Sequence, residues 1–193
     1  MRIVIIKNRG QYNHLIWRCL RELNVNADLL DNKVNPEDVD ANGIIISGGP
    51  YSVYEAIDDF KKMGNCRKIV ECAYENEIPL LGICLGLQTI AYIFGGRVGK
   101  GKKAEYGETT VYIENEDEIL RGFGSKIMVW ASHKDEVKDM PKGFERLAYS
   151  DICEVEAIKH KIKPIYGVQW HPEVSHTEKG RELFMNFIKV CRS

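Results

Sequence analysis

The sequence has no run of five like charges, and its 27 basic and 28 acidic residues nearly cancel. That balance excludes the electrostatic footprint of a nucleic-acid binder and leaves no acidic tail. No apolar stretch approaches the roughly 18 residues a membrane span needs. The run at residues 3–6 is too short for the core of a signal peptide. A cytoplasmic protein with no nucleic-acid or membrane partner is expected. No two of the six cysteines stand in a CxxC pair, so reduced thiols are expected rather than a disulfide framework or a zinc knuckle. GxGxxG and GxxxxGK[ST] loops are absent as well, which removes the common phosphate-cradling signatures. With no repeat, low-complexity segment or Pro/Gly/Ser-rich linker, residues 1–193 read as a single domain.

What is present alternates. Short apolar runs of strand type occupy residues 3–6, 25–30, 44–46 and 79–83, with helical spacing at 11–23 and 65–76. In the first helix Leu15, Ile16, Cys19, Leu20 and Leu23 share one face. Unbroken apolar strands are covered on both faces, so the reading is an α/β fold with a twisted, mostly parallel sheet and helices on both sides. From residue 107 onward closely spaced strand-like stretches predict added antiparallel strands, closed by an amphipathic helix in "TEKGRELFMNFIKVC".

Within "GICLG", Cys84 stands between Gly82 and Gly86 where the fourth strand stops and a helix begins. This is the G-x-nucleophile-x-G spacing of a strand-to-helix elbow. The turn holds its central residue in a strained conformation, and flanking glycines admit the close approach of strand and helix. A thiol there faces unpaired N–H groups and the positive end of the helix dipole, which favour the thiolate. The N–H of Leu85 is directed where an oxyanion would form. The alternative, a buried cysteine between packing glycines, is open until a partner is found.

A partner is available in "YGVQWHPEV", where His171, Pro172 and Glu173 end a strand-like stretch. A cysteine nucleophile needs an imidazole in reach, and the imidazole needs a group that fixes its tautomer. His171 and Glu173 fit these two jobs, since residues two apart in an extended chain face the same side. Zinc ligation by His171, Glu173 and His176 is the competing reading. Neither thiolates nor a helical HxxxH accompany them, so no metal is expected. His14 and His160, the latter beside Lys159 and Lys161, read as solvated surface residues. The loop Ser47-Gly48-Gly49-Pro50 follows the third strand. It is a poor phosphate cradle because Pro50 has no N–H, and a better second oxyanion donor through Gly48 or Gly49.

Together "GICLGLQ", "ISGGP" and "VQWHPEV" resemble the class I, triad-type glutamine amidotransferases, and the resemblance runs along essentially the whole chain. It implies an open, flavodoxin-like sheet and hydrolysis of glutamine's side-chain amide by a Cys84-His171-Glu173 triad. It implies oxyanion donors at Gly49 and Leu85, and a substrate pocket that includes Gly48, Gln88, Ser132, His133 and Asp135. "GQYNHLI", "SGGPYSVYE", "AEYGETTV", "WASHKDEV" and "HPEVSHT" are similar to the branch that supplies ammonia for making GMP from xanthosine monophosphate. One departure is Lys134, where that branch carries glycine. With no ATP-pyrophosphatase loop in 193 residues, the resemblance implies a free-standing glutaminase subunit with no cofactor of its own. ATP and magnesium are then expected on a separate ATP-pyrophosphatase (synthetase) subunit. The alternatives are another amination partner, such as anthranilate synthase, a cysteine hydrolase of γ-glutamyl or peptide substrates, and a silent regulatory subunit.

Overall fold

The computed structural model describes residues 1–193. Strand β1 (Arg2–Lys7) sends Ile3 and Ile5 to one side of the sheet and Val4 and Ile6 to the other, and all four are fully buried. Such a strand can lie only at the centre of a layered fold, because both faces need cover. It pairs in parallel with β2 (Asn26–Asp31) and β3 (Gly43–Ile46). Strand β3 in turn pairs in parallel with β4 (Leu80–Ile83), and β4 with β9 (Ile165–Val168). Beyond β9 the sheet continues in antiparallel fashion. Its full order is β2-β1-β3-β4-β9-β8-β7-β5-β6, where β5 is Arg97–Ile113, β6 Lys126–Asp139, β7 Phe144–Ser150 and β8 Ala157–His160.

Two hydrophobic cores follow from the two faces. One contains Ile16 and Leu20 of α1 (Asn13–Glu22) with Leu183, Phe184 and Phe187 of α5 (Gly180–Val190). The other contains residues of α2 (Val53–Ala56), α3 (Cys66–Glu75) and α4 (Leu85–Ile93). Helix α4 is apolar nearly all round because it is sandwiched between sheet and neighbouring helices, with residues 85–91 all buried.

Two expectations need correction. Strand β5 begins ten positions earlier than the 107 read from the sequence, since "GRVGKGKKAE" has no apolar alternation and is drawn into the sheet by pairing with β6. His160 is not a surface residue. It is 7% exposed, packs edge-on against Phe144 with ring centroids 4.9 Å apart, and its Nδ1 accepts the N–H groups of Ile162 and Lys163. Strand alternation sends His160 and Lys159 to opposite faces, His160 inward and Lys159 into a pair with Asp117. Burial and nearby Lys163 hold its pKa below the usual imidazole value.

Candidate active site

Cys84 lies between β4 and α4 with φ +53° and ψ −106°, a conformation that L-residues avoid. The elbow is over-determined by contacts that only glycine permits. A Cβ on Gly82 would lie 2.4 Å from the carbonyl carbon of Gly86, and one on Gly86 would lie 2.1 Å from the Ile46 oxygen of β3. The Cys84 N–H donates to the Val168 oxygen at 2.8 Å, which ties the elbow to β9, the strand that leads to His171. The thiol therefore emerges at the carboxyl end of the parallel sheet, where topology opens a crevice. Its Sγ is 3.7 Å from the Ser132 carbonyl oxygen.

After β9, the buried Gln169 and Trp170 carry the chain to His171. His171 and Glu173 do not share one side of an extended strand, as their spacing suggested. The chain turns at Pro172 and Glu173, and the Val174 N–H donates back to the His171 oxygen. The turn brings His171 Nδ1 to 2.7 Å from Glu173 Oε1. A carboxylate only accepts, so the proton of this pair sits on Nδ1 and Nε2 is the nitrogen available to the thiol. Burial opposes a charged His171, but the Glu173 carboxylate and hydrogen-bonding contact with Cys84 outweigh it, and its pKa is raised well above the ordinary value. Sulfur and imidazole, far apart in sequence, thus meet across the carboxyl edge of the sheet.

Neighbours lock this arrangement. A Cβ on Gly48 would approach His171 Cε1 to 3.0 Å and Cys84 Cβ to 3.5 Å, so the Gly48 backbone lies against both side chains. Tyr12 packs edge-on to the imidazole with ring centroids 5.0 Å apart. The His171 N–H donates to the Trp130 oxygen of β6, and Thr177 Oγ1 both donates to the His171 oxygen and accepts the Trp130 N–H.

The triad, oxyanion and pocket residues named from the sequence all line one cleft of about 740 Å³, ample for an amino acid. Leu85 opens α4, where an N–H has no acceptor within the helix. The Gly49 N–H donates to no backbone carbonyl, and its Cα is pressed so close to the Asn8 oxygen that a Cβ would sit at 2.3 Å. Gln88 is 3% exposed, and its Nε2 donates to the Asp135 oxygen at 2.7 Å and to Gln169 Oε1 at 3.2 Å. Asp135 accepts the Ser52 hydroxyl at 2.5 Å. His133 borders the cleft, yet its ring nitrogens face the Asp135 oxygen and Glu105. Lys134 is exposed and outside the left-handed region, so lysine stands in place of the branch's glycine without backbone strain. Sequence reasoning missed Tyr12 and Ser52 of the cleft wall, which carry no chemistry-specific spacing.

The chain matches the family described as glutamine amidotransferase class-I over residues 4–191. It is 48% identical over 193 residues to a relative from Archaeoglobus fulgidus named as a subunit of glutamine-hydrolyzing GMP synthase, covering 100% of both chains. It is 50% identical to the relative of the same name from Thermococcus kodakarensis, covering 98% of each. A crystal structure from Thermoplasma acidophilum, also named as a GMP synthase subunit, superposes with a TM-score of 0.91 at 38% identity, covering 100% of this chain and 94% of that one.

Proposed function

Because this chain belongs to the class-I glutamine amidotransferases, we propose that it is the glutaminase subunit of a two-subunit GMP synthase. The observation that carries the chemistry is the Cys84 elbow opening onto the His171–Glu173 pair in one cleft. Cys84 is the nucleophile that attacks the side-chain amide carbon of glutamine. The tetrahedral oxyanion takes hydrogen bonds from the N–H groups of Leu85 and Gly49, a contribution worth roughly 3 kcal/mol per donor. His171, held by Glu173, delivers a proton to the departing nitrogen, and ammonia leaves a γ-glutamyl thioester. Water, activated by the now neutral imidazole, adds to the thioester, and the carbon–sulfur bond breaks to give glutamate and the free thiol. The sum is glutamine plus water to glutamate plus ammonia, with atoms and electrons balanced.

Gln88, Gly48, Ser132, His133 and Asp135 form the substrate pocket in this reading. Their contribution is partly through backbone, since the Gln88 amide nitrogen and the His133 ring are already engaged. Ammonia then passes to a separate ATP-pyrophosphatase subunit that adenylylates xanthosine monophosphate with ATP and magnesium and releases GMP. The names carried by the full-length relatives support that destination over anthranilate synthase. The protein acts in the cytoplasm in this reading; no helix is long and apolar enough to cross a membrane.

The test is ammonia release from glutamine with the cognate synthetase, ATP and xanthosine monophosphate present. Cys84→Ala should lower the rate by on the order of 10⁴-fold or more, while external ammonia still supports GMP formation. Equal rates for the variant and the wild type would remove the nucleophile from the mechanism.

A further inference from the structure

Beside the Ser132–Asp135 wall of the cleft four side chains converge, of which only His133 borders the substrate pocket, with its ring nitrogens already turned to the Asp135 oxygen and Glu105. Glu105 of β5, His133 of β6, Cys153 of the β7–β8 turn and Glu156 just before β8 place one donor atom each within 4.8 Å of one another. Glu105 and His133 are 5% exposed, and Cys153 and Glu156 are fully buried. Both oxygens of Glu105 and of Glu156 lack hydrogen-bond partners, as does His133 Nε2. Next to them Glu136 pairs with Lys138 through one oxygen and leaves the other unpartnered. Carboxylates buried without donors are costly, by several kcal/mol each even after relaxation. Such a set is tolerated only when protons or a bound cation neutralise it.

The tautomer of His133 says where that positive charge belongs. Its Nδ1 is 3.2 Å from the Asp135 carbonyl oxygen, which can only accept, so the ring proton of a neutral His133 sits on Nδ1. Nε2 lies 3.0 Å from Glu105 Oε2, an ion pair only when a second proton makes the ring cationic. That single proton leaves Glu105 Oε1 and both oxygens of Glu156 unpartnered, and a cation shared by all four groups answers them together. A nitrogen, a sulfur and two carboxylates are the donor types of a borderline ion and not of calcium or magnesium, which take oxygen.

We infer that Glu105, His133, Cys153 and Glu156 form a closed, structural zinc site that anchors the Ser132–Asp135 wall of the cleft. Zinc–ligand bonds of about 2.0–2.3 Å in a tetrahedron separate the donors by roughly 3.3–3.8 Å, so side-chain rotations must draw the wider pairs together and part His133 Nε2 from Glu105 Oε2, now 3.0 Å away. All four ligands come from protein, so no position is open to substrate, and the role is structural. The Nδ1 contact to Asp135 is the backbone-carbonyl support that metal-bound imidazoles ordinarily have. The expectation of no metal rested on CxxC and HxxxH spacing. It could not see ligands drawn from three separate places in the chain, with only Cys153 and Glu156 close in sequence.

The test uses the tag-free full chain, dialysed against a weak chelator and analysed for metals. About one zinc per chain is expected, falling at least tenfold in Glu156→Gln and in Cys153→Ser. Cobalt(II) added to metal-stripped wild type should give the visible bands of a tetrahedral site with a thiolate-to-metal charge-transfer band, the latter absent in Cys153→Ser. The cobalt spectrum requires only wild-type protein, so it stands even where a variant fails to fold. Labelling of Cys84 by a glutamine-like electrophile reads the catalytic cleft separately. Protein that labels at Cys84 yet retains no metal and shows no thiolate–cobalt band would overturn the zinc site and leave the glutaminase intact. Zinc that persists undiminished in both variants would overturn it as well, by locating the ion elsewhere.

Discussion

The least replaceable interaction in the cleft is the 2.7 Å contact between His171 and Glu173. Glu173→Gln keeps the shape but removes the charge that raises the imidazole pKa and fixes its tautomer. Glutamine-dependent ammonia release should fall by on the order of 10³-fold, with KM little changed. Stability reports the same pair. A group whose folded pKa lies above its unfolded value stabilises fully below the unfolded value, near 6.5 for imidazole, and loses that contribution as pH rises through the folded value. The stability deficit of Glu173→Gln, measured by urea unfolding, should therefore be larger near neutral pH than at strongly alkaline pH. A deficit that grew with pH would contradict the charged pair. At this scale the sequence named nucleophile, base and orienter from residue type and spacing. It misjudged how base and orienter meet, because the turn at Pro172 depends on Thr177 and Trp130 holding the His171 backbone.

The elbow is a property of elements. Gly86 sits where α4 crosses the end of β3, and an added Cβ would meet the Ile46 oxygen at 2.1 Å, a backbone atom that cannot swing aside. Gly86→Ala should destabilise the chain by roughly 3 kcal/mol or more, read as a lowered urea midpoint at unchanged m-value, and should reduce Cys84 labelling in whatever protein remains folded. An alanine variant of wild-type stability would show that β3 and α4 are not so closely packed. Elements with strong patterning, such as α1, α5 and strands β1, β3 and β4, were legible because their apolar residues run unbroken or recur at helical spacing. The first half of β5 was not. Its glycines and lysines take strand form only because β6 supplies a ladder, with a register shift between Lys100 and Glu105.

Across the molecule, order should follow the sheet. The central strands β1, β3 and β4 are completely buried along their apolar residues, whereas Lys102, Lys103 and Ala104 are exposed beside that register shift. In hydrogen-exchange mass spectrometry, peptides from the three central strands should exchange last, and those spanning 100–104 among the first. Early exchange in β4 would mean that the elbow is not built on the most stable part of the fold. The sequence alone determined the alternating α/β pattern, the glycine-flanked Cys84 and the histidine and glutamate proposed to serve it, because each is set by short-range periodicity or by chemistry that few residue types perform. Only the tertiary structure decided which groups meet. Bringing Cys84 to His171, turning His160 inward and gathering Glu105, His133, Cys153 and Glu156 into one buried cluster all depend on strand order and register, which join residues the sequence keeps far apart.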